Sequence, residues 1–428
     1  MCNAQVFFAR HRAGFFLRYI HGMKYQNALL GCLFWGMLQS LPASAVLVPQ
    51  PIGMYVEKVD GLSIEDDLIV DSAALLAHER RVQKVLELQS RLGAYDQSLG
   101  QKWIDLAHDA VKLNQPESAA RLFQRGLHNL RLNAGLTTDK QIVALSEWIA
   151  VLKRLGDTES LGEQLQYRYR ITGFGTGDWS EESLGYALEY FDNELARFAT
   201  SDWLAYENKV VRFERHLDDV IERSCEGESA TAAWCGPLVK RRLQLLYLIA
   251  FAIEPFVEDR QTRNSLPPKF LGDRSLYDEQ LVALERNAYQ SGVRMLEKAI
   301  ALAEDQVDLE LALADWRWYF GRRGAAKDVY RKLYESHPEL FTVAQALPQG
   351  LTDPVTSRAD PEALPSSYRF SVNELGKARD LSLQEGGGEG TDPNRVRKAL
   401  RDIRFRPSLD SEGEVVESEL VASYRYLR

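Results

Sequence analysis

The chain has 428 residues, of which 45% are hydrophobic and 26% are charged, an ordinary balance for a globular protein with a sizeable core. A chain of this length accommodates two or three domains. The net charge of -9 and a pI near 5.5 argue against a nucleic-acid partner, because no cationic surplus is present to displace counterions from phosphates.

The first 45 residues have the order of a secretory signal peptide. Four basic residues and no acidic one are followed by the apolar run 28–41 and then by Ala43-Ser44-Ala45. We expect export with cleavage after Ala45, which removes four positive charges and takes the net charge from -9 to -13. Two alternatives remain open, a retained membrane anchor and lipoprotein-type cleavage before Cys32.

The cysteines are consistent with an oxidising compartment. Cys2 and Cys32 would leave with the signal peptide, so Cys225 and Cys235 remain as an even pair. The segment between them is small and polar, as in a loop, and we expect a disulfide that closes it. The alternatives are two free thiols or a metal site, and the metal site lacks support because no histidine lies at ligand spacing; the nearest is His216.

A helix–turn–helix pattern occurs at 106–127 and again at 148–169. Each segment has an apolar helix, a tight turn and a second apolar helix. In the first segment Phe123 is expected to be the large side chain between two closely packed helices. The small residues expected at that crossing are Ala107, Ala110, Ala119 and Gly126.

A third unit, "LALADWRWYFGRRGAAKDVYRKLYESHPEL", begins at Leu311. Its small, turn, small, large and apolar positions are Ala314, Gly321, Ala326, Tyr330 and Leu333, and Pro338 terminates it. At 307–340, and more loosely at 100–172, the sequence resembles the tetratricopeptide repeat family. The resemblance implies an α-solenoid, in which neighbouring helix pairs bury each other's apolar faces. An irregular helical bundle is the alternative.

The remaining stretches before the tail read as helix and then linker. The segments 60–95 and 181–300 have helical patterns without a legible repeat, and 241–257 is apolar nearly all round, as in a buried helix that ends at Pro255. The composition then changes at 345–365, which contains four prolines among small and polar residues. This segment is predicted to be a linker.

The tail after the linker alternates like a small α+β domain. Residues 368–372 and 377–383 are predicted to be a hairpin, followed by a flexible loop at 386–390 and a helix that begins at Pro393. That helix has Val396, Leu400 and Ile403 on one face. The final strand is expected to place on them its own apolar face, formed by Leu420, Ala422, Tyr424 and Tyr426.

This ββαβ order resembles the TonB C-terminal domain family. The resemblance is carried by "FSVNELGKARDLSL", "RKALRDIRFRP" and "GEVVESELVASYRYL", and by the turn motif Arg404, Phe405, Arg406 and Pro407. It implies a periplasmic protein whose last strand pairs with an extended peptide, with an outer-membrane transporter as candidate partner. The implied docking strand consists of Leu420, Val421, Ala422, Ser423, Tyr424, Arg425 and Tyr426. Arg404 and Arg406 are expected to lie in a solvated turn around a buried Phe405, with a ligand role as the alternative.

Signatures of catalysis are not evident in the sequence. No HExxH, GxSxG or P-loop motif occurs, and "GFGTG" at 173–177 is expected to be an inter-repeat loop. We therefore expect no enzyme, no catalytic residue, no metal, no cofactor and no small-molecule substrate. The expected partner is a protein or peptide.

The predicted protein is mostly α, a tetratricopeptide-type α-solenoid with a small C-terminal TonB-like domain. The predicted divisions are a signal peptide (1–45), a helical repeat domain (46–344), a linker (345–365) and the TonB-like domain (366–428). The preferred function is a periplasmic protein–protein interaction module. The alternatives are an envelope structural or assembly factor with the tail as a folded cap, a TonB-family energy transducer that keeps its anchor, and an enzyme with an unrecognised site.

Overall fold

The computed structural model has a long helical part followed by a strand-rich tail. It describes residues 45–48, 55–59, 72–173, 180–200, 203–226, 232–263, 274–303, 307–347, 366–385, 400–401 and 403–427. Only the backbone is described for 45–48, 55–59, 199–200, 203–207, 232, 251–263, 274–278, 366 and 423–427. All these residues belong to one compact unit, 43–428. Residues 1–44 of the predicted signal peptide (1–45) lie outside the described residues.

The described helices follow one another with short connections. They are α1 (Ser72–Leu92), α2 (Ser98–Lys112), α3 (Pro116–Ala134), α4 (Ile142–Leu155), α5 (Thr158–Ile171), α6 (Glu181–Thr200), α7 (Trp203–Cys225), α8 (Ala232–Arg263), α9 (Arg274–Leu302), α10 (Val307–Tyr319) and α11 (Arg323–Ser336). The chain is therefore mostly α, as predicted. Among the described residues, none of these helices has both the length and the apolar character needed to span a bilayer.

The first predicted helix pair is formed by α2 and α3. Ala107, Ala110, Ala119 and Phe123 are fully buried between helices. Gly126 lies so close to α2 that an added Cβ would be 2.6 Å from Ile104 Cγ1 and 3.0 Å from the Gly100 carbonyl oxygen. The crossing of α2 and α3 therefore depends on small residues. Gly100, the small residue of α2 that lies opposite Gly126, was not recognised in the sequence.

The other two predicted pairs also form. In the α4–α5 turn the Asp157 carboxylate accepts a hydrogen bond from the Ser160 backbone N–H at 3.1 Å, which caps α5. In the α10–α11 turn Gly321 has φ +76°, a conformation that L side chains rarely adopt. Ala314, Ala326 and Tyr330 are fully buried in this last pair.

The helices pack mainly on their neighbours in the chain. From α1 to α6 each helix contacts the next, α8 contacts α6, α7 and α9, and α10 then packs on α9 and α11. The residues of α8 from Leu243 to Ile249 are all buried, in agreement with the predicted buried helix. The expected end at Pro255 is wrong, because α8 continues to Arg263. A proline removes one backbone donor and bends a helix without always terminating it.

Two N-terminal strands join three strands of the tail in a five-stranded antiparallel sheet of order β1-β2-β9-β4-β5, and two small two-stranded sheets, β3-β6 and β7-β8, lie beside it in the chain. The strands are β1 (Ala45–Val48), β2 (Tyr55–Val59), β3 (Gln345–Leu347), β4 (Ser366–Val372), β5 (Ala378–Glu385), β6 (Arg404–Arg406), β7 (Ser408–Leu409), β8 (Val415–Val416) and β9 (Ser418–Leu427).

The predicted hairpin of the tail is formed by β4 and β5. The Asn373 side chain accepts hydrogen bonds from the backbone N–H groups of Leu375 and Lys377 at 3.1 and 3.0 Å, which fixes the turn. Of the predicted helix, Leu400 and Arg401 are helical, and Pro393 and Val396 lie outside the described residues. Gln345–Leu347, in the predicted linker, form β3 and pair with β6, whereas 348–365 lie outside the described residues.

Candidate docking strand

The final strand, β9, is held along one edge by β4. The pairing runs without interruption from Ser366↔Tyr424 to Val372↔Ser418. The strand predicted from its alternating pattern is therefore present, and its register on β4 determines which residues share a face.

The inward face of β9 packs as expected. Leu420 and Ala422 lie against a buried cluster that includes Leu400 and Ile403, and this cluster also holds Phe405. The cluster is completed by side chains of the hairpin, Tyr368, Phe370, Val372 and Ala378. The side chains of Tyr424 and Tyr426, which were predicted on the same face, lie outside the described residues.

The outward face of β9 carries an exposed apolar residue between charged neighbours. Val421 is 62% exposed, and Glu419 is also exposed. Across the strand pair Val421 lies opposite Arg369, and Glu419 lies opposite Ser371. A ligand on this face would therefore meet one apolar side chain flanked by a cation and an anion.

The direction of the backbone groups of β9 follows from one side-chain contact. The Ser382 hydroxyl of β5 donates a hydrogen bond to the Arg369 carbonyl at 3.2 Å, so this carbonyl faces β5 and not β9. Arg369 and Val421 therefore form a non-hydrogen-bonded pair, and the N–H and C=O of Val421 point away from β4. By alternation the same holds for Glu419 and Ser423.

The second edge of β9 is only partly paired. Strand β2 pairs with it from Tyr55↔Leu427 to Lys58↔Tyr424. Between Ser418 and Ser423, none of the described strands lies along this edge. In the part of the chain that the structure describes, no strand covers the outward-directed backbone groups of Glu419 and Val421, which lie beside β2.

The turn motif that precedes β9 makes buried contacts with the last helix pair. Phe405 is buried, as expected, but Arg406 is only 1% exposed, so the expected solvated turn is not found there. Arg406 Nε and Nη2 donate to the two carboxylate oxygens of Asp315 in α10, at 2.8 and 2.6 Å. The Tyr330 hydroxyl donates to the same carboxylate at 2.9 Å. Sequence reasoning missed this partner, because Asp315 looks like one polar position of an amphipathic helix.

The electrostatics of this contact favour the protonated forms of Arg406 and Tyr330. Burial by itself lowers the pKa of Arg406, but attraction to Asp315 outweighs it and the pKa is raised. Burial, followed by the negative charge of Asp315, raises the pKa of Tyr330 well above 10, so the hydroxyl stays protonated and can donate. A buried carboxylate with three donors is satisfied on both oxygens.

Two further contacts join the same turn to the last helix pair. The Trp318 indole N–H donates to the Phe405 carbonyl at 2.8 Å, and a guanidinium nitrogen of the exposed Arg404 donates to the Tyr319 carbonyl. Gly376 of the hairpin fits beneath them with φ +70°, where an added Cβ would be 2.2 Å from the Phe405 carbonyl oxygen. The contacts of the turn motif therefore attach the sheet to α10 and α11.

The predicted cysteine pair is at disulfide distance. The Sγ atoms of Cys225 and Cys235 are 2.04 Å apart and the Cα atoms 5.1 Å apart, which links the end of α7 to the start of α8. The prediction of this disulfide is confirmed, and a disulfide is compatible with an exported protein.

A charged cleft lies beside the disulfide. Cys225, Met295 and Lys298 are among the residues that line it. Arg242 Nη2 donates to Glu214 Oε1 at 2.6 Å, and Arg242 also pairs with Asp218. Lys298 pairs with Glu226. These ion pairs join α7 to α8 and α9 to the segment that follows α7.

Neither comparison with known proteins identifies a family. No protein-family model matches this chain, and no curated protein matches it significantly.

Proposed function

We propose that this protein is an exported, non-enzymatic interaction module that binds an extended peptide segment of a cell-envelope protein along β9. The observation that carries the proposal is the asymmetry of this strand. One edge is paired with β4 continuously from Ser418 to Tyr424, while the other edge leaves the stretch Ser418–Ser423 without a described partner strand.

An extended peptide is the ligand that suits such an edge. Strand addition satisfies the outward-directed N–H and C=O groups of Glu419 and Val421, and these main-chain hydrogen bonds supply affinity. Specificity would come from the neighbouring side chains, in which Val421 offers an apolar contact between Arg369 and Glu419. The ligand strand would place an apolar side chain near Val421 and polar ones on either side.

The finer assignments belong to the same proposal. The helical part serves as a tetratricopeptide-like scaffold and the tail as a TonB-like docking domain in the periplasm, with an outer-membrane transporter as the candidate partner. Support comes from the buried small residues of two helix pairs, from the strand-paired tail and from the Cys225–Cys235 link. Export itself is tested by N-terminal sequencing, which should begin at Val46.

A second candidate function is that of a structural cap. The buried pair of Arg406 and Asp315 ties the tail to the last helix pair, as a cap that covers the end of a helical stack would require. In this case the sheet protects α10 and α11, and the edge of β9 has no ligand.

Photocrosslinking separates the two candidates. A benzophenone amino acid is placed at Val421 and, as a control, at Leu375, which is 47% exposed in the hairpin turn of the same tail. The docking function predicts a specific adduct with an envelope protein from Val421 only. It also predicts that Glu419→Pro reduces the adduct, because proline removes an N–H directed to the open edge, whereas Glu419→Ala keeps that N–H and the adduct.

The result that contradicts docking is equally clear. The edge is not a peptide site if Val421 gives no adduct. It is also not a peptide site if Glu419→Pro and Glu419→Ala give the same adduct yield while both proteins keep the wild-type melting temperature. The tail is then a structural cap.

A further inference from the structure

The edge proposed for docking is occupied in part by the chain's own N-terminal strand. Strand β2 pairs with β9 at Tyr424–Leu427, directly beside the open stretch Ser418–Ser423. β1 pairs with the far side of β2, from Ala45↔Val59 to Val48↔Val56. These two strands therefore lie between the last four residues of β9 and anything that approaches along its free edge.

We infer that β2 is a built-in competitor of the docked peptide, so that full docking requires β2 to leave β9. This inference rests on the proposed function and concerns its regulation. A partner strand limited to Ser418–Ser423 binds beside β2. A partner strand that uses the whole of β9 must replace β2, because each backbone group accepts one neighbouring strand.

The pairing of β2 is suited to exchange. It extends only from Tyr55↔Leu427 to Lys58↔Tyr424, whereas β4 holds β9 from Ser366↔Tyr424 to Val372↔Ser418. The β2–β9 pairing is shorter and supplies fewer hydrogen bonds, so it separates before the β4–β9 pairing does. Because β2 belongs to the same chain, its pairing with β9 is intramolecular, and a partner must outcompete it.

The backbone geometry indicates which residue of β2 holds it on β9. The N–H of Val421 points to the free edge, so by alternation that of Arg425 points to β2. Arg425 lies opposite Glu57, and these two residues therefore exchange hydrogen bonds. Val56, the neighbour of Glu57, directs its N–H to β1 instead.

Three variants of the full chain test the competition. Glu57→Pro removes the N–H that faces β9 and releases β2. Val56→Pro is the matched control, since it introduces the same residue one position away and spares the pairing with β9. Glu57→Cys combined with Arg425→Cys locks β2 in place, because Cα atoms of a hydrogen-bonded pair are ~5.5 Å apart, within the range of a disulfide.

The probe is a fluorescent synthetic peptide that spans residues 53–61, the sequence of β2 itself. We expect the Glu57→Pro chain to bind this peptide about tenfold more tightly than wild type. A tenfold change corresponds to the loss of ~1.4 kcal/mol of intramolecular pairing between β2 and β9. We expect the locked chain to bind it less tightly than wild type, because only Ser418–Ser423 stay accessible, and the Val56→Pro chain to bind less tightly than the Glu57→Pro chain.

The outcomes distinguish this inference from the proposed function. Equal peptide affinity in the wild-type, released and locked chains overturns the competition. If the Val421 adduct forms in equal yield in the locked and wild-type chains, docking stands and β2 is not its competitor. If the released chain gives no Val421 adduct with any envelope protein, the docking function itself is overturned.

Discussion

Arg406 in the tail and Asp315 in α10 form a two-point ion pair whose side chains are 2% and 8% exposed. They are 91 residues apart in the sequence, so the pair connects the strand-rich tail to the last helix pair. A pair this deeply buried is sensitive to the loss of one partner, because the remaining charge is left without compensation.

Truncation of either partner should be strongly destabilising. We expect Arg406→Ala or Asp315→Ala to lower the free energy of unfolding by about 3–5 kcal/mol. Replacing the whole network by apolar residues, with Arg406→Met, Asp315→Leu and Tyr330→Phe, should restore most of this loss. The control is Arg331→Ala, which breaks a half-exposed pair with Glu414 and should cost no more than ~1 kcal/mol. Chemical denaturation measures all of these, and equal costs at Arg406 and Arg331 would contradict the assignment.

The close packing of α11 can be tested with two adjacent alanines. Ala326 is fully buried, whereas Ala325 is exposed. Ala326→Trp should overpack the crossing and destabilise the protein by about 1–3 kcal/mol or more, since a filled interior has no space for an indole. Ala325→Trp should leave the melting temperature nearly unchanged. Two identical melting temperatures would show that this face of α11 is not packed.

Gly376 should be irreplaceable, while Gly324 should be replaceable. A Cβ at Gly376 would collide with the Phe405 carbonyl oxygen and lie 2.7 Å from Trp318 Nε1, and the backbone is already left-handed. At Gly324, in the helix α11, a Cβ would meet nothing within 4 Å. We expect Gly376→Ala to destabilise the tail and Gly324→Ala to be neutral or stabilising by up to ~1 kcal/mol. Thermal melts of the two variants provide the comparison.

The disulfide should contribute measurably to stability. For a loop of this size, the chain-entropy model gives about 2–3 kcal/mol, which Cys225→Ala with Cys235→Ala should remove. Thiol labelling of the denatured, unreduced protein that begins at Val46 should find no free cysteine. Two labelled thiols per chain would mean that the bond does not form in the isolated protein.

Stability should fall below neutral pH because of His216. Its ring Nε2 lies 2.8 Å from the Tyr169 hydroxyl. Burial, assisted by Arg223, lowers its pKa below the usual 6.5. The unfolded chain therefore takes up a proton first, and stability is lost as the pH falls from 6.5 towards the lower folded value.

The matched variant for this prediction is His216→Asn. Its free energy of unfolding should depend less on pH between 7 and 5 than that of the wild type. Glu214 has the opposite sign, since burial raises its pKa, but it is present in both proteins and cancels in the difference. Parallel pH profiles in the two proteins would remove His216 as the cause.

Much of the local structure was legible in the sequence. The spacing of Ala107, Ala110 and Phe123 predicts a buried helix face, and the structure buries all three. The alternation of Leu420 and Ala422 predicts the inward face of the last strand, and both pack on the cluster around Leu400. Such patterns are readable because side-chain periodicity depends only on the local backbone conformation.

The ends of the helices and strands, and the contact between the tail and α10, were harder to predict from the sequence. Pro255 suggested a helix end that does not occur, and Gln345–Leu347 lie in the predicted linker although they form β3 with a distant partner strand. Arg406 in a short motif looks like a solvated turn residue until Asp315 is placed beside it. In each case tertiary contacts outweigh a weak local preference.

The sequence by itself therefore predicted the three helix pairs, the β4–β5 hairpin, the final strand and the apolar faces of these elements, because these follow from the spacing of apolar residues along the chain. Only the tertiary structure decided that Arg406 pairs with Asp315 and that β2 pairs with β9, and hence which part of the final strand lacks a partner among the described strands. These contacts join residues far apart in sequence, and neither member of such a pair carries a local signal that names the other.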